Sequence, residues 1–201
     1  MSDDGKDPLG KMFRGNEEFR QTDFVPNITY WKGIVSGQQP KILWIGCSDS
    51  RVNPERITGS APGELFIQRN IGNAVPLQDW NFTTVLEYAL MNLKVEHIVI
   101  CGHSDCGAIK ALDIEDSDYY YIPVWLNNAR EAKHRVDSQM KKPVTPEEIH
   151  DRYQRIEKEN VRLQLEHLKA HPLVKKVCRE RRIFFHGLYF NIHDGRLTRI
   201  E

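Results

Sequence analysis

Two short polar motifs, each directly after an apolar run, constrain this chain of 201 residues more than any other feature. Residues 47–51 read C-S-D-S-R and follow the apolar run 42–45, while residues 103–106 read H-S-D-C and follow the apolar run 98–101. Continuous apolar runs of this length are typical of strands buried in a parallel sheet. Because parallel strands end at a common edge, where open α/β sheets bind ligands, we expect the two motifs to meet there.

Such a meeting would bring together two thiols and one imidazole, those of Cys47, Cys106 and His103. Sulfur and imidazole nitrogen are the ligands that zinc prefers, and three protein ligands leave a fourth position for water. Structural zinc sites normally have four protein ligands, so a purely structural zinc module is disfavoured. The pattern therefore predicts a catalytic zinc site at this edge of the sheet.

Asp49 and Arg51 are the predicted catalytic residues beside that zinc. Asp49 lies two residues after Cys47, which places both side chains on one side of an extended backbone. Arg51 lies two residues further on and can hold the Asp49 carboxylate in a two-pronged ion pair. Zinc lowers the pKa of a bound water to about 7, and we expect Asp49 to orient the resulting hydroxide. The pair with Arg51 would keep Asp49 from becoming a ligand itself.

The remaining patterns predict an α/β domain with strands and helices in alternation. We expect a central, mainly parallel sheet of about four parallel strands plus an antiparallel C-terminal strand, flanked by helices. Asp79 and the residues T-P-E-E at 145–148 are predicted helix starts, and the charged face of 147–160 is expected to face solvent. Residues 1–37 would form an N-terminal helical arm and residues 38–201 the catalytic domain. The predicted strands are residues 41–46, 64–68, 97–101, 182–192 and 197–200.

Composition excludes several classes of protein. The formal net charge is zero, so there is no basic footprint for nucleic acid. No apolar run approaches the roughly 20 residues that cross a bilayer. The acidic N-terminus lacks the apolar core of a signal peptide. Four cysteines in such a chain indicate metal or catalytic use in a reducing compartment. We therefore predict a cytoplasmic protein, or a mitochondrial one if a presequence has been removed.

The motifs C-S-D-S-R and H-S-D-C-G, with P-G-E at 62–64 and R-N-I-G-N at 69–73, resemble β-class carbonic anhydrases, in particular plant and fungal-like members. The resemblance implies a zinc lyase that reversibly hydrates carbon dioxide to bicarbonate and a proton through zinc-bound hydroxide. It also implies a homodimer or a tetramer, and a closed state in which Asp49 becomes the fourth zinc ligand.

The resemblance further implies four substrate-binding residues. Gln38 matches a glutamine that hydrogen-bonds a substrate oxygen, and Gly107 would help to shape the pocket wall. Phe66 and Tyr88 match pocket aromatics that often come from across the dimer interface. The resemblance also bears on an inhibitory bicarbonate site known in bacterial-type members. Trp44 and Arg69 match two of its residues, but Phe190 stands where a tyrosine is expected.

Two alternatives to this function stay open at the level of sequence. A hydrolase of carbonyl sulfide or carbon disulfide would share the metal site and differ in access to the pocket. A thiol-sensing protein would use Cys47 and Cys106 as a redox pair and would bind no metal.

Overall fold

The computed structural model describes residues 7–114 and 118–201. The chain divides into two compact units, Met1–Gln38 and Gln39–Glu201. The functional division into an arm of residues 1–37 and a catalytic domain of residues 38–201 stays a prediction, and the first six residues of that arm lie outside the described part. Within the described residues, no helix combines the length and the apolar character needed to cross a membrane.

The N-terminal unit consists of two helices joined by a π-helical segment. Helix α1 is Pro8–Phe19, the π-helical segment is Arg20–Phe24, and helix α2 is Ile28–Val35. The Trp31 ring packs against the rings of Phe19 and Phe24, with centroid distances of 5.4 and 5.3 Å. The aromatic side chains of the predicted helical arm are therefore packed on one another within this unit.

The second unit is built on a five-stranded sheet with the order β2-β1-β3-β4-β5. The first four strands in that order are parallel, and β5 is antiparallel to β4. The predicted fold class is confirmed. The Asp194-Gly195 turn joins the last two strands, and Gly195 has a positive φ of 69°, as its place in a hairpin requires. The strands are β1 (Ile42–Cys47), β2 (Leu65–Asn70), β3 (His97–His103), β4 (Phe184–Asn191) and β5 (Arg196–Arg199).

Helices pack against this sheet, and their starts follow from local hydrogen bonds. The Asp79 carboxylate accepts a hydrogen bond of 2.6 Å from the backbone N–H of Phe82, and Thr145 and Glu148 form the predicted capping box. Both predicted helix starts are confirmed. The helices are α3 (Pro54–Thr58), α4 (Trp80–Glu87), α5 (Gly107–Lys110), α6 (Ile122–Trp125), α7 (Asn127–Asp137), α8 (Pro146–Ala170) and α9 (Pro172–Glu180).

Helix α8 lies unusually close to the sheet, which holds the centre of the core. A Cβ atom on Gly102 would stand 2.7 Å from Val161 Cγ2, and one on Gly187 would stand 3.0 Å from Leu165 Cδ1. Both strand positions therefore need glycine for the helix to approach. Val161 and Leu165 are fully buried in the main apolar cluster, together with side chains of β1, β3 and α4.

The expectation of a solvent-facing charged surface at 147–160 is wrong at three positions. Arg152, Glu157 and Asn160 are buried. Each makes hydrogen bonds within the protein, which offset the cost of removing a polar group from water. The side of α8 that carries Glu157 and Asn160 therefore faces the interior.

Candidate metal centre

The two motifs meet at the carboxyl edge of the sheet because β1 and β3 are neighbours. Gly46 on β1 is in register with Cys101 on β3, so Cys47 and His103 end adjacent strands. Cys106 follows after a tight turn in which Asp105 has a positive φ of 57°. The candidate ligand atoms of Cys47, His103 and Cys106 all lie within 4.8 Å of one another, and all three residues are buried.

His103 presents one ring nitrogen to the protein and the other to the site. Its Nδ1 lies 2.9 Å from the backbone carbonyl of Ser104, so this nitrogen carries the proton and donates it. Its Nε2 is buried and, within the described residues, has no hydrogen-bond partner. A buried lone pair of this kind normally has a partner, and a metal ion would provide one.

The two cysteine thiols influence the pKa of each other. Cys47 Sγ and Cys106 Sγ lie 4.0 Å apart. A hydrogen bond from the Cys106 thiol lowers the pKa of Cys47, even though burial opposes ionisation there. The same contact, together with burial, raises the pKa of Cys106. The sulfur–sulfur contact thus favours ionisation of Cys47 over that of Cys106.

Asp49 and Arg51 form the predicted two-pronged ion pair beside these residues. Arg51 Nε donates to Asp49 Oδ1 at 2.9 Å, and Arg51 Nη2 donates to Asp49 Oδ2 at 2.7 Å. These hydrogen bonds hold the pKa of the Asp49 carboxyl well below its usual range, even though desolvation opposes this shift. Asp49 Oδ2 is 3.9 Å from the free Nε2 of His103. Both carboxylate oxygens thus face Arg51 while one stays close to the ligand group.

A cavity of about 430 Å³, here called the site cavity, reaches Cys47 and Asp49. Gly107 lines it, as predicted for the pocket wall. Its other walls are mostly apolar, formed by side chains of α5, α6 and the start of α7. Apolar walls with a few polar groups are typical of small-molecule sites. A larger groove of about 830 Å³ lies nearby, but none of the predicted site residues lines it.

Two predicted substrate residues do not line this cavity. Phe66 and Tyr88 pack on each other, with ring centroids 5.7 Å apart, and neither lines the site cavity. Gln38 is the last residue of the N-terminal unit. Their roles in substrate binding stay predictions.

Comparison with known proteins gives the family. A family model described as carbonic anhydrase matches residues 42–197. The chain belongs to the carbonic anhydrase family. It is 32% identical over 199 residues to a carbonic anhydrase of Synechococcus elongatus, covering 96% of this chain and 72% of that protein. It is 31% identical over 189 residues to a mitochondrial β carbonic anhydrase of Arabidopsis thaliana, covering 90% of this chain and 64% of that protein.

Solved structures assign the β class. The chain matches a tetrameric β-carbonic anhydrase of Sordaria macrospora with a TM-score of 0.88 and 32% identity, covering 96% of each chain. The protein is therefore an enzyme that hydrates carbon dioxide reversibly to bicarbonate and a proton.

The donor set of this carbonic anhydrase fits zinc. In a tetrahedral site with zinc–sulfur bonds of about 2.3 Å, two sulfurs lie about 3.8 Å apart. The observed 4.0 Å between Cys47 and Cys106 is close to that value, and about twice the length of a disulfide bond. The free Nε2 of His103 supplies a third donor of the right kind.

Two residues hydrogen-bond the backbone of the site in ways that were not predicted from the sequence. Arg69 donates to the backbone carbonyls of Cys47 and Asp49, at 2.8 and 2.6 Å, and so fixes the turn that carries both. Glu157 accepts a hydrogen bond of 3.0 Å from the backbone N–H of Cys106 and one of 2.6 Å from the Tyr189 hydroxyl. Burial raises the pKa of Glu157.

The sequence signals for these two residues were unequal. Arg69 stands out as a charge at the end of the predicted strand 64–68, where a charged side chain needs a partner. Glu157 carries no signal, because nearby charged residues of α8 mask its place on the inner face of the helix.

Proposed function

We propose that Cys47, His103 and Cys106 of this carbonic anhydrase hold a zinc ion and that Asp49 and Arg51 act beside it in carbon dioxide hydration. The observation that carries the proposal is the convergence of two sulfurs and an unpartnered, buried His103 Nε2 within 4.8 Å. When zinc is bound, it supplies the Lewis acidity that makes water nucleophilic near neutral pH.

The Asp49–Arg51 pair has two proposed tasks. The Asp49 carboxylate accepts a hydrogen bond from the attacking water and so directs an oxygen lone pair towards the carbon of the substrate. Arg51 donates to both oxygens of that carboxylate. These hydrogen bonds keep Asp49 available to orient the water and prevent it from becoming a metal ligand. We expect this open arrangement at pH 8, with Asp49 acting as a fourth ligand only in a closed state.

The site cavity and its flanking residues form the proposed substrate pocket. Its apolar walls suit a neutral linear substrate, and Gly107 leaves room at the wall nearest to Cys106. Phe66 and Tyr88 would act in a pocket completed by a second subunit, and Gln38 would donate an amide hydrogen bond to a substrate oxygen.

The experiment that tests this function measures zinc content and stopped-flow carbon dioxide hydration on one sample. We expect about one zinc per chain and rapid hydration at pH 8. Protein that contains zinc but does not hydrate carbon dioxide would contradict the proposed chemistry. Protein that hydrates carbon dioxide without stoichiometric zinc would contradict the proposed cofactor.

We also propose a homodimer that can pair into a tetramer. The Sordaria relative is tetrameric. In this chain Trp80 and Tyr121 are large side chains that are almost fully exposed, at 91% and 86%, and an interface that covered them would remove apolar surface from water. Light scattering coupled to gel filtration tests the assembly, and a monomer at micromolar concentration would contradict it.

The cytoplasm is the proposed compartment. Cys47, Cys101, Cys106 and Cys178 are all free thiols, as expected in a reducing environment. The mitochondrial name of the Arabidopsis relative defines the alternative. Imaging of the full-length protein with a C-terminal fluorescent tag distinguishes the two.

A further inference from the structure

Arg130 is the only cationic side chain among the described residues that line the site cavity. It lies near the start of α7, and its Nε donates a hydrogen bond of 2.7 Å to Asn127 Oδ1. Within residues 7–114 and 118–201, no carboxylate forms an ion pair with it. Arg135, one and a half turns further along the same helix, is bound by three glutamates. Arg130 is exposed, so its guanidinium brings a solvent-accessible positive charge to a cavity with mostly apolar walls that Asp49 also lines.

The helix that carries Arg130, α7, is packed against α8. Ala129 and Ala132 on the inner side of α7 are buried, and Arg135 ties this helix to α8 through Glu159 and Glu166. The bond to Asn127 restrains the guanidinium plane at Nε and leaves its terminal nitrogens available as donors. A fixed guanidinium is suited to a planar oxyanion, which it can bind through two parallel hydrogen bonds.

The reaction of the site creates such an ion. Carbon dioxide is neutral and suits the apolar cavity, whereas bicarbonate is a planar anion that is costly to hold among apolar groups without a counter-charge. We propose that Arg130 forms a bicarbonate-binding subsite on the wall of the site cavity, an inference that rests on the proposed function. The subsite receives the product of hydration and captures the substrate of dehydration. Arg130 is not one of the candidate metal ligands, and it does not bind neutral carbon dioxide.

The experiment compares zinc-loaded wild type with Arg130→Gln, Arg130→Lys and the matched control Arg155→Gln. Arg155 is an exposed arginine of α8 that pairs with Asp151 and does not line the cavity. The first readout is the inhibition constant of bicarbonate against carbon dioxide hydration at constant ionic strength. The second is the rise in Tm that added bicarbonate produces relative to chloride, because a ligand of the native state stabilises it according to its affinity.

Arg130→Gln is expected to weaken bicarbonate inhibition about threefold to tenfold, the effect of one hydrogen-bonding group at a solvent-exposed position, and to reduce the bicarbonate-dependent rise in Tm. Arg130→Lys keeps the charge but loses the planar fork, so its inhibition constant should lie between those of wild type and Arg130→Gln. Arg155→Gln should match wild type in every readout.

Three outcomes would overturn the inference. One is an unchanged inhibition constant and Tm response in Arg130→Gln, and another is an equal loss in Arg155→Gln, which would indicate a general effect of net charge. The third is a change of oligomeric state in Arg130→Gln with unchanged bicarbonate binding, which would make Arg130 an interface residue. The Tm readout needs no turnover, so it tests Arg130 even if wild-type protein failed to hydrate carbon dioxide, and the two failures are distinguishable.

Discussion

At the scale of single residues, hydrogen bonds within the protein orient the side chains of the site and leave the candidate ligand atoms facing one another. Ser104 binds the Nδ1 of His103, and Arg51 binds both oxygens of Asp49. The remaining His103 Nε2 and the two cysteine sulfurs then lie within 4.8 Å of one another, and Nε2 has no hydrogen-bond partner among the described residues. A cation is the simplest way to satisfy such a group, and the first predictions follow from this.

Cys47→Ser and His103→Ala should each lose zinc and hydration activity together, with activity reduced at least about a hundredfold. The reason is that each change removes one of three protein ligands. Zinc content by atomic spectroscopy and stopped-flow hydration provide the measurements. Cys178→Ser, which removes an exposed thiol outside the group, serves as control and should retain both. Full zinc occupancy with normal activity in either ligand variant would refute the ligand assignment.

Asp49→Asn should retain zinc and lose hydration activity by about a hundredfold or more, as is usual when a group that orients a reactant is removed. An amide cannot accept the same hydrogen bonds from Arg51 through both of its terminal atoms. Zinc content and hydration rate are measured on the same sample. A parallel fall in zinc would mean instead that Asp49 is a ligand.

At the scale of elements, α8 connects the sheet to the loops of the site. Glu157 binds the backbone of Cys106, Asn160 donates to the Gly72 carbonyl at 3.0 Å, and Gln164 accepts from the Val75 N–H at 2.7 Å. These polar groups lie along the same helix as Val161 and Leu165, which pack on β3 and β4. A displacement of α8 should therefore reach the metal centre.

Gly102→Ala tests this close packing. The new methyl group would meet Val161 Cγ2 at 2.7 Å, so we expect a loss of about 1–3 kcal/mol in the free energy of unfolding. Urea unfolding followed by tryptophan fluorescence gives the value. Gly107→Ala is the matched control, because a Cβ atom there meets nothing within 4 Å. Equal stability of the two variants would show that α8 can move away from β3 at little cost.

A partly exposed ion cluster around the buried Arg152 joins α8 to α7 and to the segment after α5, and it predicts a specific acid response. Burial opposes ionisation of Asp113, but hydrogen bonds from Arg152 and Tyr153 lower its pKa from 3.8 to about 2. A lowered pKa in the folded state means that ionised Asp113 stabilises the fold above about pH 4. This contribution, on the order of 1 to 2 kcal/mol after solvent screening, is lost as the pH falls from about 4 to about 2.

Asp113→Asn should therefore be less stable than wild type at pH 6, and the difference should shrink by about pH 2.5. Urea midpoints across this range provide the measurement. Asp151→Asn, at an exposed pair on the same helix as Arg152, is the control and should show a much smaller difference. Zinc release in acid affects all three proteins, so the differences between them are the readout. A constant gap between Asp113→Asn and wild type would contradict the assigned role of ionised Asp113.

At the scale of the whole molecule, the predicted substrate-binding residues belong to two different units of the chain. The candidate ligands all lie in Gln39–Glu201, while the predicted substrate-binding Gln38 closes the other unit. Gln38→Ala should slow hydration about threefold to tenfold, the effect of one lost hydrogen bond, and leave zinc content and Tm unchanged. Gln39→Ala is the neighbouring control. An unchanged rate in Gln38→Ala would remove Gln38 from the substrate pocket.

The apolar runs and their order along the chain were enough to predict the sheet and the meeting of the two motifs. Buried parallel strands read as continuous apolar runs, and parallel strands bring their carboxyl ends to one edge, so Cys47 and His103 could be paired without coordinates. The helix starts at Asp79 and Thr145 were equally accessible, because capping is a contact between residues close in sequence.

In contrast, the burial of polar residues on α8, and their hydrogen bonds to backbone groups of the site loops, follow from tertiary packing alone. Glu157 and Arg152 look like any charged helical residues, and their burial depends on the closeness of α8 to Gly102 and Gly187, far away in the chain. Arg130 is a similar case, since its place on the wall of the site cavity follows from the packing of α7 on α8. Contacts between distant segments carry no local pattern, and for that reason sequence periodicity revealed the sheet edge but not the residues that surround it.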